Sequence, residues 1–387
     1  MPIVDSLLDQ DLYKLTMMQF VLHQFPGVNV KYKFKCRTEL RKEQSLLRLS
    51  KRIVDEIKSL DDLRFNDGEL EYLRSLSFFK DDFIDFLGMF RMNSKYVQVC
   101  NNSNELDITV KGPWLYTILY EIFILKIVNE LHFDDLYHDK MNETLKASEK
   151  ELSGQLGCIQ SRKDIHFADF GTRRAFSKRW HARVIDMLVG FPGFIGTSNV
   201  MLAKKFNIKP IGTMAHEVFQ VCQALTRIAD SQKFALQKWA DEYRGSLGIA
   251  LSDTLGIDYF LKDFDVYFAK LFDGLRHDSG SPEDWVDRII EHYEHLGIDP
   301  KTKTAVFSDG LTFERIVRIQ QHVEDRIKTS YGIGTRLTNG FANPIQIVMK
   351  VVEANGCPVA KISDSPGKEM CEDHDYVEYV KKVIGKC

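Results

Sequence analysis

One histidine in this chain stands among residues that could bind phosphate. His216 follows the small and polar run Gly-Thr-Met-Ala at 212–215, at the predicted start of a helix. Small residues let backbone amides approach a ligand, and the positive end of a helix attracts anions. A histidine at this position can act as an acid, a base or a phosphoryl acceptor. For this stretch taken alone, a histidine that merely caps the helix would be the commoner explanation.

Several turns that contain glycine or hydroxyl residues could also hold phosphate. Each follows a short apolar stretch, and their residues are Ser279, Gly280, Ser308, Asp309, Gly310, Gly332, Gly334 and Thr335. Such turns offer backbone amides, and some precede predicted helices, which is the usual arrangement for binding an anion. One such turn is usually only structural, but three turns on one face of a fold indicate a phosphate site.

Charged residues lie close to the same turns. Arg173, Arg174 and Arg276 can meet an anionic substrate with planar donors. Asp253 and Asp278 can accept hydrogen bonds from sugar hydroxyls or hold Mg²⁺ through water. The chain has no Walker A sequence, no HExxH and no GxSxG, so it lacks the usual motifs of kinases, metalloproteases and hydrolases. The combination indicates transfer chemistry on a phosphorylated sugar.

Repeated strand-to-helix units are predicted to position these residues. From about residue 164 onward, short apolar strands run into polar turns and, in most cases, into helices. The stretch 194–220 is predicted to hold two such units, and His216 begins the second helix. Repeated units predict parallel strands, whose carboxyl ends share one site. Because no GxGxxG turn opens the first unit, an α/β fold with an irregular parallel barrel is favoured over an open doubly wound sheet.

The first third of the chain follows a different pattern. A helix is predicted over 12–22, and strict alternation over 28–36 predicts a strand with a lysine-rich face that ends near Arg37. Residues 43–87 are predicted to be largely helical. Hairpins are predicted over 96–112 and over 345–363, the second turning at Asn355 and Gly356. We therefore predict a barrel domain over 141–344, and an α+β domain over 1–140 that the segment 345–387 joins.

Composition limits the classes of partner. The 387 residues carry a net charge of -3, which gives no reason to expect nucleic acid or a membrane surface. Seven scattered cysteines favour neither a disulfide framework nor a zinc site. The acidic N-terminus lacks the features of an export signal, and the apolar run 114–128 is too short and too interrupted by charges to cross a bilayer. A cytoplasmic protein is the simplest expectation.

Nine motifs carry a family resemblance. In chain order they are DLYKLTMMQF, YKFKCRTE, DFGTRRAF, GTSNVMLA, GTMAHE, SDTLG, FDGLRHDSGSP, FSDGL and YGIGTRLTNG. Together they resemble nicotinate phosphoribosyltransferases, and the resemblance extends over about residues 7–368. The resemblance implies that nicotinate and phosphoribosyl pyrophosphate give nicotinate mononucleotide and pyrophosphate, a step of NAD biosynthesis. It also implies coupling to ATP hydrolysis and a need for Mg²⁺, for which the motifs identify no direct ligand.

The resemblance further implies roles for residues near the ring and the histidine. His216 matches the family histidine that ATP phosphorylates. Phe170 and Arg173 match the positions that stack on the pyridine ring and meet its carboxylate. Tyr13 matches an aromatic residue that covers the other ring face from the neighbouring subunit, so a homodimer with shared sites is expected.

Other matched positions concern the sugar and its phosphates. Arg276 and Asp278 match residues around the ribose and its reacting carbon, and Asp253 matches a contact to ribose or to metal-bound water. The 5′-phosphate cradle matches Ser308, Asp309, Gly310, Gly332, Gly334 and Thr335, with Ser279 and Gly280 in the ribose turn. Arg37, Lys361 and Lys368 match basic residues directed toward the pyrophosphate, some of them from the partner chain.

Ser198 bears on the choice of substrate. Related nicotinamide enzymes tend to have an aspartate here, which can accept a hydrogen bond from the amide, whereas a serine does not repel a carboxylate. Thr172 stands where some relatives carry an aromatic residue, which leaves the contacts behind the ring undefined. The alternatives are a nicotinamide or quinolinate phosphoribosyltransferase, or a non-catalytic ligand-binding protein on the same scaffold. Quinolinate would require more basic residues around the ring, and a non-catalytic protein would be expected to lack His216.

Overall fold

The computed structural model describes residues 2–41, 44–102, 105–362, 364 and 371–385. Over these residues the chain forms seventeen α-helices and eleven strands, which are arranged in two sheets. The strands are β1 (Asn29–Cys36), β2 (Val97–Asn102), β3 (Glu105–Pro113), β4 (Phe167–Asp169), β5 (Phe194–Thr197), β6 (Ile249–Leu251), β7 (Gly274–His277), β8 (Thr304–Phe307), β9 (Lys328–Ile333), β10 (Ile347–Ala354) and β11 (Cys357–Pro358). The helices are α1 (Leu12–Gln24), α2 (Ser50–Ser59), α3 (Asp67–Arg74), α4 (Asp81–Met89), α5 (Trp114–Thr117), α6 (Tyr120–Tyr137), α7 (Met141–Leu156), α8 (Lys178–Leu188), α9 (Val200–Phe206), α10 (His216–Gln223), α11 (Ser231–Tyr243), α12 (Ile257–Asp263), α13 (Val266–Leu271), α14 (Pro282–His295), α15 (Phe313–Val323), α16 (Thr335–Asn339) and α17 (His374–Ile384).

The first sheet is antiparallel, with strand order β11-β10-β1-β3-β2. In β1, Val30, Tyr32 and Phe34 are buried, while the lysines between them are more exposed, as the alternation predicted. β10 pairs with β1 along nearly its whole length, so the C-terminal hairpin returns to the N-terminal sheet. Its turn has positive φ at Asn355 (48°) and Gly356 (81°), as a two-residue hairpin turn requires.

Parts of both predicted hairpins lie outside the described residues. The turn residues Ser103 and Asn104 of the first hairpin are among them, as is Ser363 at the end of the second. The strands that flank these positions pair as predicted, β2 with β3 and β10 with β11.

The second sheet is parallel, with strand order β5-β4-β9-β8-β7-β6. Its strands are only three to six residues long, and the carboxyl ends lead into the polar turns singled out above. One hydrophobic core continues through both sheets and the helices around them. The prediction of an α/β protein with parallel strands and an antiparallel sheet from the first third of the chain is confirmed.

The segment before His216 was predicted to be a strand, and that prediction was wrong. Residues 208–215 form only an isolated bridge, between Pro210 and Thr197. Ile211 N also donates to Thr197 O at 2.8 Å, so the segment runs beside β5 for a short distance. Proline has no N–H to donate, which prevents the ladder from continuing.

The apolar run 114–128 forms α5 and the first half of α6, both almost entirely buried. The two charges that interrupt it are buried with ionic partners, since Glu121 pairs with Lys14 and Lys126 pairs with Asp9. Across the described part of the chain, no helix has both the length and the apolar character needed to span a bilayer.

Candidate active site

A pocket lies where the turns after β4, β5 and β7 meet the first turns of α1 and α10. Its lining includes Asp11, Tyr13, Glu121, Phe170, Arg173, Ser198, Thr213, His216, Glu217, Gln220, Arg276, Asp278 and Lys350. His216 therefore shares one pocket with Arg173 and Arg276, as a common site requires.

The imidazole of His216 is held by Asp253. His216 Nε2 lies 2.7 Å from Asp253 Oδ1 and 3.7 Å from Asp278 Oδ2. Burial and the nearby charge of Lys361 lower the pKa of His216, although the two carboxylates oppose them. Because an ionised carboxylate can only accept a hydrogen bond, the proton of the neutral imidazole lies on Nε2. Nδ1 therefore carries the lone pair.

Asp253 has protein partners on both carboxylate oxygens. Besides His216, Ser279 Oγ donates to Oδ2 at 2.6 Å and Lys361 Nζ donates to Oδ2 at 2.8 Å. Burial would raise the pKa of Asp253, but His216 and Lys361 hold it well below its usual value. Asp253 and Lys361 thus contact each other, and their expected contacts with ribose and pyrophosphate stay predictions.

Arg276 and Asp278 flank the same imidazole. Arg276, in β7, donates through Nη1 to Thr213 Oγ1 at 2.5 Å, and its Nη2 lies 3.7 Å from Asp278 Oδ2. Ser308 Oγ donates to Asp278 Oδ1 at 2.9 Å. Although burial raises it, Arg276 and His216 keep the pKa of Asp278 below its usual value. Asp278 is therefore an anion between the guanidinium of Arg276 and the imidazole of His216, at the carboxyl ends of the strands.

Phe170, directly after β4, packs tightly against Gly332 of the neighbouring strand β9. A Cβ added to Gly332 would lie 2.3 Å from two carbons of the Phe170 ring. No side chain larger than hydrogen fits at 332 unless that ring moves. Gly332 therefore makes room for the aromatic ring, and its expected place in a phosphate cradle stays a prediction.

Tyr13 and Arg173 both line the pocket and lie near each other. The Arg173 guanidinium carbon is 6.0 Å from the centre of the Tyr13 ring. Leu12 N donates to Ser198 O at 2.7 Å, so the start of α1 is fixed to the turn after β5. Tyr13 consequently lines the pocket of its own chain, and its expected contact with the ring in a neighbouring subunit stays a prediction.

A carboxylate lies beside Ser198, and sequence reasoning missed it. Ser198 Oγ donates to Asp11 Oδ1 at 2.5 Å, and Thr172 Oγ1 is 3.4 Å from the same hydroxyl. Asp11 Oδ2 is 3.8 Å from Arg173 Nε. Burial raises the pKa of Asp11, although Arg173 and Ser198 oppose it. Asp11 immediately precedes α1 and looks like a helix cap in the sequence, but its side chain makes no capping hydrogen bond.

Sequence reasoning also missed Glu121, Glu217 and Lys350. Their only sequence signal is a charge inside an otherwise apolar or structural stretch, such as Glu121 in the run 114–128. Lys350 lies in β10 opposite Lys33 of β1, so the antiparallel sheet brings it to a pocket formed mainly by the parallel one. Burial lowers the pKa of Lys350 to about 8.

Other predicted site residues do not line this pocket. Gly280, Asp309, Gly310, Gly334 and Thr335 lie after β7, β8 and β9, on the same edge of the sheet. Arg37 lines a separate groove together with Lys33 and Lys35. Arg174 donates to Gln346 Oε1 at 2.9 Å, and Lys368 lies outside the described residues.

Comparison with known families gives two matches that together span most of the chain. The nicotinate phosphoribosyltransferase (NAPRTase) family matches residues 165–386. The nicotinate phosphoribosyltransferase (NAPRTase) N-terminal domain matches residues 8–129.

Individual relatives match over nearly their full length. Nicotinate phosphoribosyltransferases of Acidovorax sp. (strain JS42) and Burkholderia mallei (strain ATCC 23344) are each 50% identical to this chain. The alignments cover 99% of this chain and 98% and 97% of the two relatives, respectively.

Solved structures agree. The crystal structure of nicotinate phosphoribosyltransferase from Vibrio cholerae has a TM-score of 0.93 at 39% identity, covering 99% of this chain and 94% of that one. The enzyme from Porphyromonas gingivalis has a TM-score of 0.91 at 31% identity, covering 99% and 100%. The prediction made from the nine motifs is confirmed, and the chain belongs to the nicotinate phosphoribosyltransferase family.

Proposed function

We propose that this pocket transfers a phosphoribosyl group to nicotinate in the salvage of nicotinate for NAD biosynthesis, with turnover stimulated by ATP through a phosphohistidine at His216. The bond from the ribose carbon to pyrophosphate breaks as the ring nitrogen of nicotinate forms a new bond to that carbon. The ring nitrogen supplies its own electron pair, so no general base is needed. The observation that carries the proposal is that His216, held by Asp253, shares a pocket with Phe170 and Arg173.

The His216–Asp253 pair supports the phosphoryl step. Nδ1 attacks the γ-phosphorus of ATP, the bond from phosphorus to the bridging oxygen breaks, and ADP leaves. The imidazole keeps its proton on Nε2 and becomes positively charged, and the ionised Asp253 at 2.7 Å stabilises that charge. The lowered pKa of His216 keeps the attacking form neutral at physiological pH.

The residues at the part of the pocket proposed to hold the pyridine ring support nicotinate as the substrate. Phe170 and Tyr13 supply aromatic surface for a flat ring, and Arg173 can pair with its carboxylate. Tyr13, Glu121 and Asp11 raise the pKa of Arg173, so its charge persists at any working pH. The Ser198 hydroxyl donates a hydrogen bond to Asp11 and adds no charge of its own beside the ligand.

The sugar and its phosphates are assigned to the carboxyl ends of β7, β8 and β9. Arg276 and Asp278 act at the reacting carbon, with Ser279 and Gly280 in the adjoining turn. Gly280 has φ of 84°, which allows its tight turn. The turns at 308–310 and 334–335 offer amides to the 5′-phosphate.

A resident Mg²⁺ ion fits this site only in part. His216, Asp253 and Asp278 bring three ligand atoms within 4.8 Å of one another, but Lys361 and His216 already occupy the Asp253 carboxylate. Mg²⁺ prefers oxygen ligands and retains water. Asp278 is thus the residue that would hold the ion through water, and the ion, arriving with the pyrophosphate, would neutralise charge on that leaving group.

The architecture extends the proposal to domains and assembly. Arg276 of β7 hydrogen-bonds to Thr213, in the segment beside β5, which supports closure of the parallel sheet into an irregular barrel over 141–344. Residues 1–140 and 345–387 would form the second domain, because β10 pairs with β1.

Arg37 lines a groove that is separate from the candidate active site of the same chain. A homodimer is therefore proposed, in which Arg37 of each chain reaches the active site of the partner. The six described cysteines are free, which supports a reducing, cytoplasmic location.

One measurement tests the phosphoryl step directly. After exposure to ATP, mass spectrometry should find an acid-labile phosphate on His216, and His216→Ala should abolish the stimulation by ATP while slow ATP-independent transfer remains. Turnover of nicotinate, nicotinamide and quinolinate separates the alternative substrates, and only nicotinate should react efficiently. Unaltered ATP stimulation in His216→Ala would refute the assignment, and a lack of turnover on all three would favour a non-catalytic binding protein.

A further inference from the structure

Three buried charged residues form an ion cluster in the wall of the pocket: Glu121 and Glu217, which line it, and Lys14 behind them. Lys14 Nζ lies 2.7 Å from Glu121 Oε2 and 2.6 Å from Glu217 Oε2. The side chains are only 0%, 6% and 7% exposed, respectively. Although burial lowers it, the two glutamates raise the pKa of Lys14, so the lysine stays charged between them.

Burying such a cluster costs free energy, which indicates that it has a role beyond packing. Removing charges from water costs several kcal/mol per ion, and apolar side chains of similar volume often replace a buried ion pair without loss of stability. Here two carboxylates share one lysine, so one negative charge remains. Two cationic residues of the pocket lining offset that charge, since Arg173 and Lys350 lie 3.5 Å and 3.7 Å from Glu121 Oε1. The charge balance of the cluster therefore depends on the residues that line the pocket.

Each member of the ion cluster is next to a residue of the proposed site. Lys14 follows Tyr13, Glu217 follows His216, and Glu121 contacts Arg173. The cluster thus lies between the residue that would take the phosphoryl group and those that would hold the pyridine ring.

Glu217 has no freedom to shift alone. Its Oε1 accepts hydrogen bonds from Tyr32 Oη at 2.5 Å and Trp114 Nε1 at 2.6 Å, while Oε2 accepts from Lys14. The donors come from β1, α5 and α1, three separate elements. Because α10 begins at His216, these bonds fix the first turn of that helix and with it the imidazole.

We propose that the ion cluster is a positioning device that couples the phosphoryl site at His216 to the pyridine site at Arg173. The inference rests on the proposed function and adds a role for residues that contact neither reacting atom. A phosphoryl group on His216 adds negative charge next to Glu217, which changes how Lys14 divides its attraction between the two glutamates. The charge that Glu121 presents to Arg173 changes with it, so both sites bias one shared element, as coupling requires.

The test uses the full chain and the variants Glu217→Gln and Glu121→Gln, singly and together. The measured quantity is the ratio of kcat/KM for nicotinate with ATP to that without ATP, alongside the acid-labile phosphate on His216. A carboxamide cannot accept from donors on both sides, so each single variant should lower the ratio by about fivefold or more, the lower range of typical coupling. The double variant should lower it no further than the more damaging single variant, because the residues act through one network.

Glu130→Gln is the matched control. Glu130 lies on the same helix as Glu121 and accepts a hydrogen bond from Lys178 N at 2.9 Å, outside the pocket. The Glu130→Gln variant should have the same ratio of kcat/KM with ATP to that without ATP as the wild type. If Glu217→Gln fails to fold, Tyr32→Phe removes one donor to Glu217 without changing charge and should lower the ratio to a lesser degree.

The outcomes separate the two proposals. Wild-type ratios in both single variants, or in Tyr32→Phe, would overturn the coupling role while leaving the phosphohistidine intact. Fully additive losses in the double variant would overturn it as well. Absence of phosphate on wild-type His216 would instead overturn the proposed function on which the inference rests.

Discussion

Replacing Asp253 with asparagine tests the assignment of His216 most directly. In Asp253→Asn, the amide oxygen should take the position that faces Lys361 and Ser279, both of which donate to Oδ2. The amide nitrogen, a donor, then faces His216 Nε2 at about the present 2.7 Å. Two donors cannot share a hydrogen bond, so the imidazole must move its proton to Nδ1. That change blocks the nitrogen proposed to attack ATP.

The size of the effect follows from what is lost. A hydrogen bond to a charged group contributes about 1.5–3 kcal/mol, which corresponds to roughly 10–150-fold in rate. The same change in a serine protease, where asparagine leaves histidine in the wrong tautomer, costs about 10⁴-fold. We therefore expect phosphorylation of His216 to slow by about 10²–10⁴-fold. The buried ammonium of Lys361 also loses its charge partner, and breaking a buried pair typically costs about 3–5 kcal/mol of stability.

The assay is transfer of labelled γ-phosphate from ATP to the protein, followed at short times, with a thermal melt of the same samples. Asp164→Asn is the matched control, because Asp164 pairs with Arg162 at the surface, outside the pocket. It should label at the wild-type rate. Labelling of Asp253→Asn within about threefold of the wild type, well short of the 10–150-fold worked out above, would refute the proposed role of the pair.

Three further predictions concern the ring end and pH. Gly332→Ala should destabilise the protein by about 1–3 kcal/mol and raise KM for nicotinate, because the added Cβ meets the Phe170 ring at 2.3 Å; melting and steady-state kinetics check both, and an unchanged KM would contradict the stacking role. Ser198→Asp would set a second carboxylate against Asp11, so kcat/KM for nicotinate at neutral pH should fall by about tenfold or more and recover partly as pH is lowered; equal or better activity would count against this account. Since the pKa of His216 is lowered, ATP-stimulated turnover should persist below pH 6.5 and fall only as the imidazole takes up a proton; a pH–rate profile whose acid limb is centred above that value would contradict the argument.

Local pattern was enough to predict the elements that present the site. Alternation over 28–36 gave β1, and the run of strand-to-turn units gave the parallel sheet with His216 at the start of α10. Period and turn chemistry are local properties of a sequence, so they can be read without knowing which distant residues will pack together. The family of the chain could be predicted for a related reason, because nine short motifs retain their order.

Partnerships between distant residues could not be predicted in this way. No local pattern indicates that Lys361, more than a hundred residues later in the chain, donates to Asp253. Nothing near Lys14 in the sequence indicates that it is buried, because the glutamates that stabilise its charge, Glu121 and Glu217, are distant in the chain. The strand predicted before His216 does not form for a local reason, because Pro210 has no N–H to donate to a ladder.

Pairing of β10 with β1 has a consequence for biosynthesis. Lys33 opposite Lys350 joins positions more than three hundred residues apart, and this contact carries a lysine into the pocket. Contacts so far apart in sequence form late, because the chain between them must first be synthesised and closed into a loop. A nascent chain of only the first three hundred residues therefore lacks β10 and Lys350, and its pocket is completed only when the last strands emerge.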